Sequence, residues 1–116
     1  MGKSIQLKDN NGNVFPISKP YKLITNSNGN AYKFDDGLLI CTGAKKAGTH
    51  NFPYPFKSIP MVTVSPISNQ ATAMHFSQAV ASATQITIIN GWASQGGTWS
   101  TDGAVSTNYI AVGLWK

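Results

Sequence analysis

The stretch YIAVGLW, residues 109–115, decides the fold class, because its side chains alternate in size with a period of two. Successive side chains of a β-strand point to opposite faces of a sheet, so Ile110, Val112 and Leu114 share one face. The two small residues between them share the other face. We expect the three larger aliphatic side chains to face the core of the protein.

Five further runs have the composition of short strands. Each is bounded by Gly, Pro, Asn or Ser, which is typical of strands joined by turns. With the first stretch, the predicted strands are Tyr32–Phe34, Leu38–Thr42, Met61–Ser65, Met74–Val80, Gln85–Asn90 and Tyr109–Trp115. Two pairs of β-branched residues at alternate positions, Val62 with Val64 and Ile86 with Ile88, are also expected to face the core.

The segment 70–83 is the one place where the sequence admits a helix, since its alanines favour one by propensity. Its larger apolar residues, Met74, Phe76 and Val80, keep a period of two instead. They form no continuous 3.6-residue stripe. We therefore predict a strand there.

The composition supports an all-β protein. The chain has 116 residues, of which 11% are charged against about 25% in an average globular protein, and it contains no Arg and no Glu. Those two residues are good helix formers, so a mainly helical fold is disfavoured. A chain of this length suits one domain. We predict a small antiparallel β-sandwich of about six strands.

The N-terminal part predicts a hairpin followed by a connector. Residues 4–8 and 14–17 are short apolar-containing runs on either side of an Asn-Gly turn. A polar cluster, residues 25–30, contains a second Asn-Gly pair and is interpreted as part of the connector. We assign residues 1–30 to the hairpin and connector, and residues 31–116 to the β-sandwich.

The net charge of +5 is unevenly distributed along the chain. Residues 1–57 contain eight lysines and three aspartates, whereas residues 58–116 contain only Asp102 and Lys116. Soluble monomers keep charged residues on their surfaces, so we expect another subunit to cover part of the second half. The lysines are scattered and no arginine is present, so no nucleic-acid partner is predicted. No run of about 18 apolar residues occurs, so no membrane insertion is predicted.

Few side chains are suited to chemistry, so we predict a protein that is not an enzyme and needs no metal or cofactor. Cys41 is the only cysteine and lies inside an apolar run, where burial makes a thiol unreactive. Asp35 and Asp36 precede a glycine and indicate a turn rather than a glycosidase pair. A pair between Asp102 and a distant aspartate stays open. The two histidines are far apart, and neither has a second ligand at the spacing of a zinc site.

The segment 91–108 predicts a long loop that carries a ligand. It contains Trp92, Trp99 and Asp102 among several glycines. The C–H faces of sugars stack on tryptophan while their hydroxyls bond to carboxylates and amides, so this composition favours a saccharide. We expect Trp99 to be the stacking platform and Asp102 to accept hydrogen bonds, with Trp92 as a reserve platform. Alternatively, both tryptophans fill the ends of the sandwich or lie at a subunit interface.

Five segments together resemble, in their order along the chain, the C-terminal domain of bacteriophage tail-fibre proteins. That domain is a small sandwich similar to H-type lectins. The segments are residues 36–43 (DGLLICTG), 52–56 (FPYPF), 60–65 (PMVTVS), 84–88 (TQITI) and 109–113 (YIAVG). The resemblance therefore extends over residues 36–115, with the first, second and last segments as its most specific parts.

The resemblance implies a homotrimer at the tip of a tail fibre or baseplate. The implied location is the virion, outside the cell. The implied partner is a host cell-surface glycan, bound without catalysis. The small residues Ala111 and Gly113 are expected to allow neighbouring chains of the trimer to approach closely. The alternative is a structural module that trimerises or caps a virion fibre and has no ligand site of its own.

Overall fold

The computed structural model describes residues 6–8, 10–11, 14–16, 20–67, 73–94, 97, 100–101 and 105–116. Within these residues all regular secondary structure is β. The strands are β1 (Gln6–Lys8), β2 (Val14–Pro16), β3 (Tyr21–Asn26), β4 (Gly29–Phe34), β5 (Leu38–Lys45), β6 (Gly48–Asn51), β7 (Met61–Pro66), β8 (Ala73–Ala81), β9 (Gln85–Ser94), β10 (Ser100–Thr101) and β11 (Thr107–Leu114).

Two antiparallel sheets form a β-sandwich, which confirms the predicted fold class. The larger sheet has the order β3-β4-β5-β11-β7, so that β3 and β7 are its outermost strands. In the smaller sheet β8 pairs with β9 along one edge, while β6 and β10 share the opposite edge of β9. The hairpin β1-β2 precedes them, as predicted. The strand prediction for the alanine-rich segment is also confirmed, by β8.

All six predicted strands are present, and three short ones are added to them. β10 lies in the segment predicted as a long loop, β3 lies in the predicted connector, and β6 lies in a segment for which no strand was predicted. β3 pairs with β4 over its whole length, from Tyr21 opposite Phe34 to Asn26 opposite Gly29. The prediction of a connector over residues 21–26 is therefore wrong.

The physical reason is the second Asn-Gly pair, which closes a hairpin rather than a linker. Gly29 has a φ of 130°, a conformation that favours glycine. The backbone N–H of Asn28 donates to Oδ1 of Asn26 at 2.9 Å, which stabilises the turn. The larger sheet thus includes residues on the N-terminal side of residue 31. The predicted boundary between the connector and the β-sandwich at that residue stays a prediction.

The core lies between the two sheets. Ile86 and Ile88 of β9 are fully buried, as predicted, and Val62 and Val64 of β7 pack against the core. The buried cluster consists of Ala31, Leu39, Cys41, Phe52, Phe56, Ile86, Ile88, Tyr109 and Ala111. Two of these rings come from the irregular segment between β6 and β7. This segment is fixed by backbone hydrogen bonds from Phe52 to Thr84 O (3.0 Å) and from Phe56 to Ala83 O (2.8 Å).

The inward face of β11 is the opposite of the predicted one. Ile110, Val112 and Leu114 are exposed, with 47%, 38% and 51% of their surface accessible, while Tyr109 and Ala111 are buried. The small residues face inward because large rings from other elements occupy the space next to them. A Cβ on Gly113 would lie 2.9 Å from the ring of Phe56.

The orientation of β11 also means that Ala111 and Gly113 do not favour a trimer, as the sequence had suggested they would. Ala111 is fully buried, and Gly113 lies against the ring of Phe56 from its own chain. These two residues therefore leave room for side chains of the same chain and not for a neighbouring copy.

A buried polar cluster connects the two sheets. Ser77 of β8 and Thr107 of β11 each donate a hydroxyl hydrogen bond of 2.7 Å to Oδ1 of Asn90 in β9. Nδ2 of Asn90 donates to the carbonyl of Val105 at 3.0 Å. Asn90 and Thr107 are buried, so the cluster satisfies polar groups that would otherwise be costly in the interior.

Candidate functional site

The three residues predicted to bind a glycan are only partly placed by the structure. Trp92 lies in β9, is half-buried, and stands opposite His75 of β8 and Ser100 of β10. Trp99 and Asp102 lie outside the described residues. Their described neighbours in the chain, Ser100 and Thr101, form β10 and pair with Trp92 and Gly91.

The predicted long loop is therefore shorter than expected. Residues 91–94 continue β9, residues 100–101 form β10, and residues 107–108 begin β11. A strand of ten residues at β9 positions Trp92 on a sheet and not on a loop.

An aromatic ring that the sequence did not single out as a ligand platform lies next to the paired strands β9 and β10. Phe76 of β8 stands opposite Gly91, and Gly91 stands opposite Thr101, so the three residues form a row across the smaller sheet. The ring of Phe76 covers Gly91 and occupies the space that a side chain there would need. It remains 37% exposed on the outer face of the sheet.

Polar side chains flank this ring. Thr101 ends the row, and Gln78 lies two residues from Phe76 on the same face of β8; both are exposed. We call the group Phe76, Gln78, Gly91 and Thr101 the β8–β10 patch. An exposed ring between an amide and a hydroxyl can stack against a sugar ring and bond to its hydroxyls.

The position of the Phe76 ring is supported from the inside of the sandwich. Ser77 follows Phe76 and Asn90 precedes Gly91, and these two side chains bond to each other at 2.7 Å on the inner face. The pairing of β8 with β9, which extends over all nine residues of β8, fixes the ring over Gly91. A sequence signal for this site was present, since a glycine inside a strand often marks a close approach of another group. The register that identifies the approaching group as Phe76 could not be derived from the sequence.

A second aromatic group surrounds a lysine. Nζ of Lys33 lies 4.0 Å from the ring centre of Trp115 and 4.4 Å from that of Tyr54, and it donates to the Tyr54 hydroxyl at 3.0 Å. Nε1 of Trp115 donates to the carbonyl of Phe34 at 2.7 Å. The polar atoms of these rings are engaged within the chain, so the group joins the segment 52–56 and the last residues to β4.

Cys41 is fully buried in the core, as predicted. Burial raises the pKa of its thiol to about 11, although a hydrogen bond from the thiol to the carbonyl of Tyr54 opposes the shift. Burial likewise raises the pKa of Tyr109 to about 12. Both groups are thus protonated at neutral pH, and Cys41 is a poor nucleophile because the thiolate is the reactive form.

Two further side chains with titratable groups, Asp36 and His50, have structural contacts. Oδ1 of Asp36 accepts the backbone N–H of Leu38 at 3.1 Å in the turn before β5, which agrees with the prediction of a turn. Nε2 of His50 lies 2.7 Å from the carbonyl of Lys46. Among the described residues there is no group of three or more His, Cys, Asp or Glu arranged to hold a metal ion. The same part of the chain contains no helix long and apolar enough to span a membrane.

Comparisons of the chain with protein-family models, with curated proteins and with solved structures gave no match. The resemblance to tail-fibre tip domains therefore stays a prediction from the sequence.

Proposed function

We propose that this chain is the receptor-binding tip domain of a bacteriophage tail fibre or baseplate, and that it binds a host cell-surface saccharide without catalysis. The observation that carries the proposal is the ring of Phe76, which lies over Gly91 between the exposed side chains of Gln78 and Thr101. Trp92 directly follows Gly91 in β9, and the alternation of the strand places it on the inner face with Ile88 and Asn90, away from the Phe76 ring.

The chemistry of the β8–β10 patch suits a neutral sugar ring. None of its residues is charged, and none carries a nucleophile stronger than a hydroxyl. An aromatic ring supplies area for stacking, while an amide both donates and accepts hydrogen bonds. The ring is held on a paired strand, so little conformational entropy is lost on binding.

Binding at one patch is expected to be weak. Adhesion of a virion then depends on several copies engaging one cell surface, since linked sites raise the effective affinity without any new contact. A homotrimer on a fibre tip supplies such copies.

The experiment compares Phe76→Ala with Val80→Ala, which truncates another exposed side chain on the same face of β8. Both variants are measured on an array of bacterial surface glycans and on a panel of intact bacterial strains, with thermal melting as the control for folding. Phe76→Ala should lower the retained signal at least tenfold, and Val80→Ala should leave it unchanged. Equal binding by the two variants would contradict the assignment of the site.

The second candidate function is a structural module that trimerises or caps a virion fibre. It is favoured by the exposed apolar side chains on the outer face of the larger sheet, such as Ile110 and Leu114. The same array separates the two functions. A wild-type protein that assembles but binds no glycan and no bacterial strain supports the structural module.

A further inference from the structure

An apolar row crosses the whole outer face of the larger sheet. The strand registers place one residue of each strand in line, in the order Met61, Val112, Ile40, Tyr32 and Leu23. Met61 is 82% exposed, Leu23 48% and Val112 38%. We call this outer face of β3, β4, β5, β11 and β7 the apolar face.

The neighbouring rows extend the apolar face toward one end of the sheet. Leu114 stands opposite Leu38, and Tyr21 stands opposite Phe34 with the two ring centres 5.3 Å apart. Toward the other end, Ile110 lies between Thr42 and Thr63. A large contiguous apolar patch on the surface of a protein usually marks a site of interaction with another molecule.

The apolar face has two shallow, open depressions. A groove of about 320 Å³ is lined by Met61, Thr63, Ile110 and Val112, and a groove of about 390 Å³ is lined by Thr42, Asn108 and Ile110. Both lie beside β11, so its exposed side chains stand as a ridge between depressions.

We propose that the apolar face is the contact surface between copies of this chain. The charge distribution allows an identical copy to occupy it. The chain carries a net charge of +5, yet no side chain that the registers place on this face is charged. Two copies can therefore meet here without like-charge repulsion, which opposes contact through the lysine-bearing surfaces.

The size of the apolar face agrees with this occupant. Five strands about 4.8 Å apart and about six residues long, at about 3.3 Å per residue, cover roughly 24 Å by 20 Å. Two such faces together bury roughly 1,000 Å², which is about the lower limit for a specific interface.

This inference does not depend on the saccharide site. The apolar face belongs to the larger sheet and the β8–β10 patch to the smaller one, on opposite outer surfaces of the sandwich. Each proposal can therefore fail while the other holds.

The experiment compares Val112→Lys with Val80→Lys. Both replace an exposed valine, but Val80 lies on the outer face of the smaller sheet. Light scattering coupled to size exclusion is performed on the full chain at about 100 μM. We expect wild type and Val80→Lys to have the mass of several chains, and Val112→Lys to have the mass of one.

Two results would overturn the proposal. The first is a monomeric wild type, which leaves the face to another protein. The second is Val112→Lys with the wild-type mass, which places the contact elsewhere. If Val112→Lys does not fold, the double variant Ile110→Thr with Val112→Thr keeps β-branched side chains on the strand. It is expected to associate at least tenfold more weakly than wild type, and unchanged association would refute the inference.

Discussion

Replacing Asn90 with alanine is expected to destabilise the sandwich strongly, because this residue connects β8, β9 and β11. The substitution removes the oxygen that accepts hydrogen bonds from Ser77 and Thr107, and the amide that donates to Val105. Water has little access to compensate, since Asn90 is only 3% exposed and Thr107 is completely buried.

The magnitude follows from counting the groups that lose their partner. The hydroxyls of Ser77 and Thr107 are 3.0 Å apart and can bond to each other, which satisfies one of the two donors. One hydroxyl and the carbonyl of Val105 remain. At about 1–3 kcal/mol for each buried unsatisfied group, the free energy of unfolding falls by about 4 kcal/mol. For a domain of this size, that corresponds to a decrease in Tm of roughly 15 °C.

The assay is urea denaturation at a fixed protein concentration, because association of copies would otherwise shift the apparent stability. The matched control is Thr49→Val, which breaks the exposed hydrogen bond between the Thr49 and Thr87 hydroxyls. Exposed substitutions of this kind usually change stability by less than about 0.5 kcal/mol. If Asn90→Ala were as mild as this control at an unchanged m-value, the buried polar cluster would not stabilise the fold.

Two further predictions follow from the buried thiol and from the glycine under the Phe76 ring. The pKa of Cys41 is about 11 in the fold against 9.0 as the ordinary value, and that of Tyr109 about 12 against 10.0. The unfolded chain releases these protons at a lower pH than the folded chain. The free energy of unfolding should therefore have its full value below pH 9 and decrease between about pH 9 and 12, which urea titrations at pH 8 and pH 10.5 check. Ellman's reagent at pH 8 should label Cys41 only after denaturation. The added methyl group in Gly91→Ala displaces the partly exposed ring of Phe76. Binding on the glycan array should then fall at least tenfold, while Tm changes by only a few degrees. Full retention of binding would show that the position of the ring is not required.

The fold class could be predicted because period-two alternation and turn residues are local properties. The six predicted strands needed only the spacing of apolar residues between Gly, Pro, Asn and Ser. Which face of a strand is buried is not a local property when both faces are apolar. In β11 the larger aliphatic side chains, such as Val112, are outside, because the rings of Tyr109 and Phe56 fill the inner side next to Ala111 and Gly113.

The candidate site was only partly accessible to sequence reasoning. Tryptophan among glycines and hydroxyls directed attention to Trp92, which directly follows Gly91 in β9 but belongs to the inner face of the smaller sheet. Phe76 was recognised as a strand residue, but its contact with Gly91 depends on the pairing of β8 with β9. Likewise, β3 was missed because the polar residues around Asn28 were read as a linker, although they form the turn of a hairpin.

The outermost strands of the larger sheet have a consequence for how the protein behaves in concentrated solution. Pro20 directly precedes β3, Pro60 precedes β7, and Pro66 ends it. Proline has no N–H to offer an incoming strand, so the main-chain pairing that leads to fibrils is opposed at both ends of β7 and at the beginning of β3. A copy that docks on the larger sheet therefore finds only short stretches of its two outermost strands open to main-chain pairing, which favours contact through the faces.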